Sequence, residues 1–143
     1  MATVTTAPRV ELEITEIDFD RLSELVDSPK YRATYSTFVS GLRRELERGR
    51  VVPAVEVARE TVTMRSRVRV KELRARESET FTLVYPEEAD IDEGKVSVLA
   101  PLGMALLGAR VGEVVEVKAP GGVRRFRVEE ILYQPEAAGD WHL

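Results

Sequence analysis

The chain of 143 residues predicts an α+β fold: a short antiparallel helical hairpin followed by an antiparallel β domain that carries one small helix. Two changes of pattern predict it. Apolar residues up to Leu46 recur at threes and fours, the spacing of one helix face; beyond Glu60 they alternate with polar and charged residues, the spacing of half-buried strands. Hydrophobic residues at 43% and charged ones at 32% are enough to fill one core and still cover a surface with solvated charge.

Residues 1–9 are small, polar and Thr-rich and read as a disordered tail with little to bury. Val10, Leu12 and Ile14 then alternate with Glu11, Glu13 and Thr15 as a short edge strand, and Thr15 and Asp18 offer capping oxygens to a helix. That helix presents Phe19, Leu22, Leu25 and Val26 on one side and stops at Asp27, Ser28 and Pro29, because proline disfavours helical dihedrals in the residue before it. A second helix, from Tyr31 or Thr34, carries Tyr35, Phe38, Val39, Leu42 and Leu46 and ends near Gly49. The hairpin seam is predicted along Leu22, Leu25, Phe38, Leu42 and Leu46, and the tip at Asp27, Ser28, Pro29 and Lys30. Residues 10–53 make this unit, with Val51 to Arg59 read as a linker around Pro53.

Residues 54–143 make the second unit. Val62, Met64, Val68 and Val70 alternate with Arg65, Arg67, Arg69 and Lys71, as one strand with a buried face and a basic, solvated one. Further strand-like runs lie at Phe81 to Tyr85, Lys95 to Leu99, Val114 to Val117 and Val123 to Tyr133, with a turn at Ala119 to Gly122. PLGMALLG, Pro101 to Gly108, reads as a helix with proline at its start and glycine at its end. The other connections are too short for parallel crossovers, so the strands are predicted to be antiparallel. The ending from Tyr133 to Asp140 is expected to fold back over an edge of the sheet.

A formal charge of −4 argues against affinity built on neutralising the phosphates of a bare duplex, so direct nucleic-acid binding is expected to be weak at most and the partner to be a protein. The apolar stretch Val96 to Leu107 is too short for a membrane span and is interrupted by Ser97, Pro101 and Gly103. Met1 to Pro8 has no secretion signature, so the chain is expected to stay in the cytoplasm; separately, a monomer is expected. There is no cysteine and a single histidine, His142. Disulfides, thiolate chemistry and most metal and triad sites are thereby excluded, and no catalytic residue, metal or cofactor is assigned.

The blocks VTMRSRV, TLVYP and VSVLAPLGMALLGARVGEVVEV, the PGG turn and the ending QPEAAGDWHL occur in that order. Together they resemble the Rnk family, the regulators of nucleoside diphosphate kinase, over nearly the whole chain. Val96 to Tyr133 is also similar, more loosely, to the C-terminal domain of the GreA and GreB transcript-cleavage factors. The resemblance implies an FKBP-like β domain, a short coiled coil ahead of it, and RNA polymerase as the partner, contacted through Leu99, Ala100, Pro101 and Met104. The plainer reading of Leu99 and Met104 is that they pack the helix onto the sheet.

In Gre factors the tip of a long hairpin supplies acidic residues that help hold a second catalytic magnesium, because a hard cation in a two-metal arrangement needs anionic oxygens. This tip offers Asp27 beside Lys30, and helices of about ten and sixteen residues reach only about 15 and 24 Å. The expectation is a polymerase-binding regulator that competes with Gre factors without cleaving transcripts. An effect on nucleoside diphosphate kinase, through protein contact or expression, is the alternative. The FKBP-like fold also admits a prolyl isomerase, whose aromatic pocket would have to come from Phe81, Tyr85, Phe126, Tyr133 and Trp141, none of them in a recognised isomerase motif.

Overall fold

In the computed structural model residues 12–140 are described; the predicted tail at 1–9, Val10, Trp141 and His142 lie outside them. Strand β1 (Leu12–Thr15) runs straight into α1 (Glu16–Asp27). The switch occurs at Thr15, whose hydroxyl accepts from the Asp18 N–H at 3.1 Å and so satisfies one donor of the first turn. A six-residue helix α2 (Pro29–Thr34) and the longer α3 (Ser36–Arg48) follow. The chain then returns as β2 (Gly49–Val52), paired in parallel with β1 from Leu12↔Gly49 to Thr15↔Val52. Part of the segment read as a linker is therefore a strand, and the helical hairpin is the crossover that makes the parallel pair possible. Gly49 sits there for space: a β-carbon on it would lie 2.8 Å from the Ile14 side chain.

Leu22, Leu25, Leu42 and Leu46 are buried along the seam as predicted, but Phe38 is 38% exposed and its place is taken by Val39. A helix turns about 100° per residue, so the stripe Val39, Leu42, Leu46 leaves position 38 off the seam.

The second unit is a five-stranded sheet of order β5-β4-β3-β7-β6, built from β3 (Arg67–Glu72), β4 (Glu77–Val84), β5 (Lys95–Ser97), β6 (Val114–Ala119) and β7 (Gly122–Tyr133). Helix α4 (Pro101–Leu106) lies between β5 and β6, and α5 (Pro135–Ala138) follows β7. All pairs are antiparallel except β4–β5, which is parallel with Thr82↔Lys95 and Val84↔Ser97. The expectation of a wholly antiparallel sheet fails because β5 is three residues long. The chain has only to step back two residues along β4, and the connection 85–94, with single 3₁₀ turns at Pro86–Glu88 and Ile91–Glu93, is enough for that.

The buried side chains of the hairpin and of the sheet join in one cluster, in which Leu12, Ile14, Leu22 and Leu42 meet Val62, Met64, Leu83 and Leu106. An aspartate at Leu42 places an unpaired charge in this shared core, a cost of about 3 kcal/mol or more. Leu42→Asp is expected to lower the urea midpoints followed by far-ultraviolet dichroism and by tyrosine near-ultraviolet dichroism together. Phe38→Asp is expected to shift both by less than about 0.5 kcal/mol, as exposed substitutions do.

Candidate functional site

The turn that leads into α4 is shaped by one glycine. A β-carbon on Gly103 would lie 2.0 Å from the Ser97 carbonyl oxygen, so the first turn of α4 sits directly on the end of β5. Ser97 fixes the loop between them: its hydroxyl accepts from the Leu99 N–H at 3.0 Å and its carbonyl from the Ala100 N–H at 3.0 Å. Leu99 is 3% exposed and points into the core. Ala100 is the N-cap of α4, Pro101 is its exposed first residue, and Met104 is half-buried. Met104 is pressed on α3, since a β-carbon on Gly41 would lie 3.1 Å from its sulfur. Gly41 and Gly103 carried no signal as contact residues in the sequence; each is small because another element passes against it.

The hairpin tip is more built than a bare turn. Ser28 ends α1 and begins α2, with Pro29 as the first residue of α2 and its ring fitting the missing donor there. Asp27 is held by Arg43, whose guanidinium donates to its Oδ1 at 3.2 Å and to the Val26 carbonyl at 2.9 Å. The Lys30 ammonium lies 5.3 Å over the Tyr31 ring. The Tyr31 hydroxyl donates to Glu87 Oε2 at 2.6 Å, which fastens α2 to the β4–β5 connection. With Met104 against Gly41, the hairpin is thus tied along the β domain at its middle and at its tip.

A third constellation lies where the hairpin, the sheet and the C-terminal segment meet. Asp18, only 3% exposed, accepts from the Met64 N–H at 3.0 Å. Residues 61–66 are not part of the predicted basic strand: Arg65 has a left-handed φ of 66°, and its guanidinium turns away to grip Glu88 at 2.9 and 3.2 Å over the Tyr85 ring. Thr63 donates to Glu136 at 2.7 Å, and Gln134 donates to the carbonyls of Ala58 and Thr61 at 2.8 and 2.7 Å. The ending therefore clamps the 58–63 segment instead of covering a sheet edge, and the Tyr133 hydroxyl closes it by donating to Asp140. Of the remaining stripe, Arg69 pairs with Glu129 and Glu130, and Arg67 is exposed. Tyr85 and Phe126, named for an isomerase pocket, are buried beneath Arg65 and Arg124. Among the described residues no group of three or more Asp, Glu or His is placed to hold a metal ion, and no helix is long and apolar enough to cross a membrane.

The model of the Rnk N-terminus matches residues 11–52, the hairpin with its strand pair. The regulator of nucleoside diphosphate kinase of Escherichia coli (strain K12) is 38% identical over 136 residues, which cover 94% of this chain and 98% of that protein. The chain belongs to the Rnk family. Its β domain ties that family to the Gre factors, for residues 57–133 match the model of the GreA/GreB C-terminal region. GreA of Chloroherpeton thalassium is 34% identical over 114 residues, 80% of this chain and 72% of GreA. A solved GreA/GreB structure from Nitrosomonas europaea is 36% identical, covers 87% of this chain and all of its own, and superposes with a TM-score of 0.72. The chain is thus a Gre-like regulator in an α+β fold, helices first and a curled sheet after them.

Two tests follow from these constellations. Gly103→Ala is expected to lower stability by about 2 kcal/mol or more, because the methyl group meets backbone that has no room to move; urea unfolding measures it. Burial pushes the Asp18 carboxyl from 3.8 up to about 7, against the Met64 N–H that favours its charged form. The folded protein therefore holds this proton where the unfolded chain has released it. Stability contributed by the neutral form is full below about pH 4, falls as pH rises to about 7 and then levels off, a change of a few kcal/mol at most. In Asp18→Asn, urea midpoints across that interval are expected to lose this slope.

Proposed function

We propose that this Rnk-family chain binds RNA polymerase at the site used by Gre factors and occupies it without supporting transcript cleavage. The observation that carries the reading is the hairpin tip: its one carboxylate, Asp27, pairs with Arg43 at 3.2 Å on the exposed surface, and Lys30 and Arg32 follow it in the sequence. A second catalytic magnesium needs free anionic oxygens, and this tip presents positive charge in their place. Helices α1 and α3, of 12 and 13 residues, span about 18 and 20 Å. The tie from Tyr31 to Glu87 adds to this by keeping α2 against the β domain.

The contact surface is the exposed start of α4. Pro101 stands at its apex, Ala100 caps the helix, and Leu99 and Met104 set its position from beneath.

The name of the Escherichia coli relative supports a second reading, an effect on nucleoside diphosphate kinase. The sequence has neither of the glycine motifs with which nucleotide-binding folds hold a nucleotide's phosphates, GxxxxGK[ST] or GxGxxG, so such an effect would run through protein contact or expression. Kinase turnover measured with and without the purified chain separates a direct effect from an indirect one.

Binding to core RNA polymerase, in competition with a Gre factor, tests the first reading. Saturable binding that displaces the Gre factor, a loss of about tenfold in Pro101→Glu, and no transcript cleavage on a stalled elongation complex are expected. Cleavage that disappears in Asp27→Ala, or an absence of binding, would sink it.

A further inference from the structure

We propose that the cleft between the β3–β4 and β6–β7 turns binds the phosphodiester backbone of nucleic acid, without regard to base sequence. The register brings the two turns to one end of the sheet: Glu72 pairs with both Glu77 and Phe126, and β6 and β7 run on past them to the Ala119↔Gly122 pair. The Leu73 N–H donates to the Arg125 carbonyl at 2.9 Å and holds the turns side by side. Between them is a cleft of about 340 Å³ into which Arg74, Arg124 and Arg125 face.

The charge of this end is opposite to that of the chain. Segments 71–77 and 114–127 hold seven basic and three acidic side chains, five of the seven arginine, in a protein of formal charge −4. Glu72 is the carboxylate that lines the cleft, and it is committed to its own turn: it is 6% exposed and accepts from the Ala75 N–H at 2.6 Å. Arg124 approaches it at 3.8 Å, and Arg125 pairs with Glu116 at 3.1 Å on the exposed surface, where such pairs exchange readily with other anions. Arg74 makes no ion pair with the described residues.

Arginine forks match phosphate oxygens two at a time, which a lysine ammonium does not. The β6–β7 turn adds open backbone: a β-carbon on Gly121 or Gly122 would meet nothing within 4 Å, and Gly122 has φ of +125°. A phosphate oxygen therefore has an unobstructed approach to the turn. Phe126 lies buried under Arg124, whose guanidinium carbon is 5.1 Å from the ring centre, so the cleft offers no ring face to a base. Donors for phosphate without a stacking platform describe backbone recognition. An acidic protein face would use the arginines but leave the concave, glycine-lined approach without purpose. The expectation of weak nucleic-acid binding rested on net charge, which averages this end with the acidic connection 86–93 at the far end of β4.

Fluorescence anisotropy of labelled single strands of about 20 nucleotides, longer than most single-domain sites, tests this with the full chain alone. RNA and DNA of mixed sequence are expected to bind at low salt with similar affinity. The double variant Arg74→Ala/Arg124→Ala, with an unchanged urea midpoint, is expected to bind about tenfold more weakly. Each lost contact should lower the slope of log affinity against log salt by about 0.7. Arg32→Ala at the hairpin tip is expected to leave binding intact. Absence of binding at low salt, or equal losses from Arg32→Ala, overturns the assignment. It is overturned equally if the double variant binds nucleic acid normally but fails to bind polymerase, which would make the cleft a site for an acidic protein. Since no polymerase enters the main measurement, its failure is distinct from failure of the proposed polymerase binding.

Discussion

The segment Thr61 to Ser66 constrains everything around it. Five of its six residues are buried, yet apart from one bridge between Thr61 and Arg110 it is not a strand, so its backbone N–H groups have no continuous ladder to join. Each of the six nevertheless donates: Thr61 to Ala58, Val62 to Ala109, Thr63 to the Ser66 hydroxyl, Met64 to Asp18, Arg65 to Leu83 and Ser66 to Thr63. A buried donor left unmet costs about 1–3 kcal/mol. Six of them would rival the 5–15 kcal/mol by which a whole domain is stable. Three of the acceptors are local, and the other three come from the first helix, the loop after α4 and the sheet, while Gln134 and Glu136 reach in from the ending. That is a physical reason for a family-typical ending with no chemistry of its own: without it the carbonyl of Thr61 loses its donor.

This segment also shows where the sequence was legible and where it was not. Burial alternates from Arg67 to Glu72, where Val68 and Val70 face inward, but Thr61 and Thr63 are as buried as Val62 and Met64. In the earlier part the alternation is one of residue type alone, and an irregular segment buried on all sides can show it as a half-buried strand does. What ends the strand is the left-handed backbone of Arg65, and arginine gives no warning of that. The hairpin seam failed at one residue for a related reason: Phe38 and Val39 are both apolar, and periodicity decides between neighbours only when one of them is polar. The parallel pairs were missed because the rule on crossover length assumes long strands. β5 is too short for it to apply, and β1–β2 uses the helices themselves as the connection.

The candidate surface divides in the same way. Pro101 as a helix start and Gly103 within PLGMALLG were readable as local grammar, and they position the exposed turn. Which of the four residues face outward was not readable, since Leu99, Ala100 and Met104 differ in burial through contacts made by Ser97 and Gly41, distant in sequence or silent in pattern. Likewise Arg43 reads as one of several helix cations, and only the fold brings it to Asp27, sixteen residues away.

Charge distribution then gives the fold a direction. The connection 86–93 holds five carboxylates and lies beside α2 and the turn into α4, while the arginine-lined cleft lies at the other end of β4. A molecule with separated poles is oriented by the field of a charged partner before it touches it, and complementary patches fix register more than they add affinity. The hairpin shares in this arrangement, because Tyr31 and Met104 bind it to the acidic end and the shared core gives it no separate stability to swing on. Its basic tip is therefore carried at a fixed distance from Pro101. The tip and the turn into α4 therefore belong to one packed surface, and the short reach of the hairpin is a property of the packing as much as of helix length.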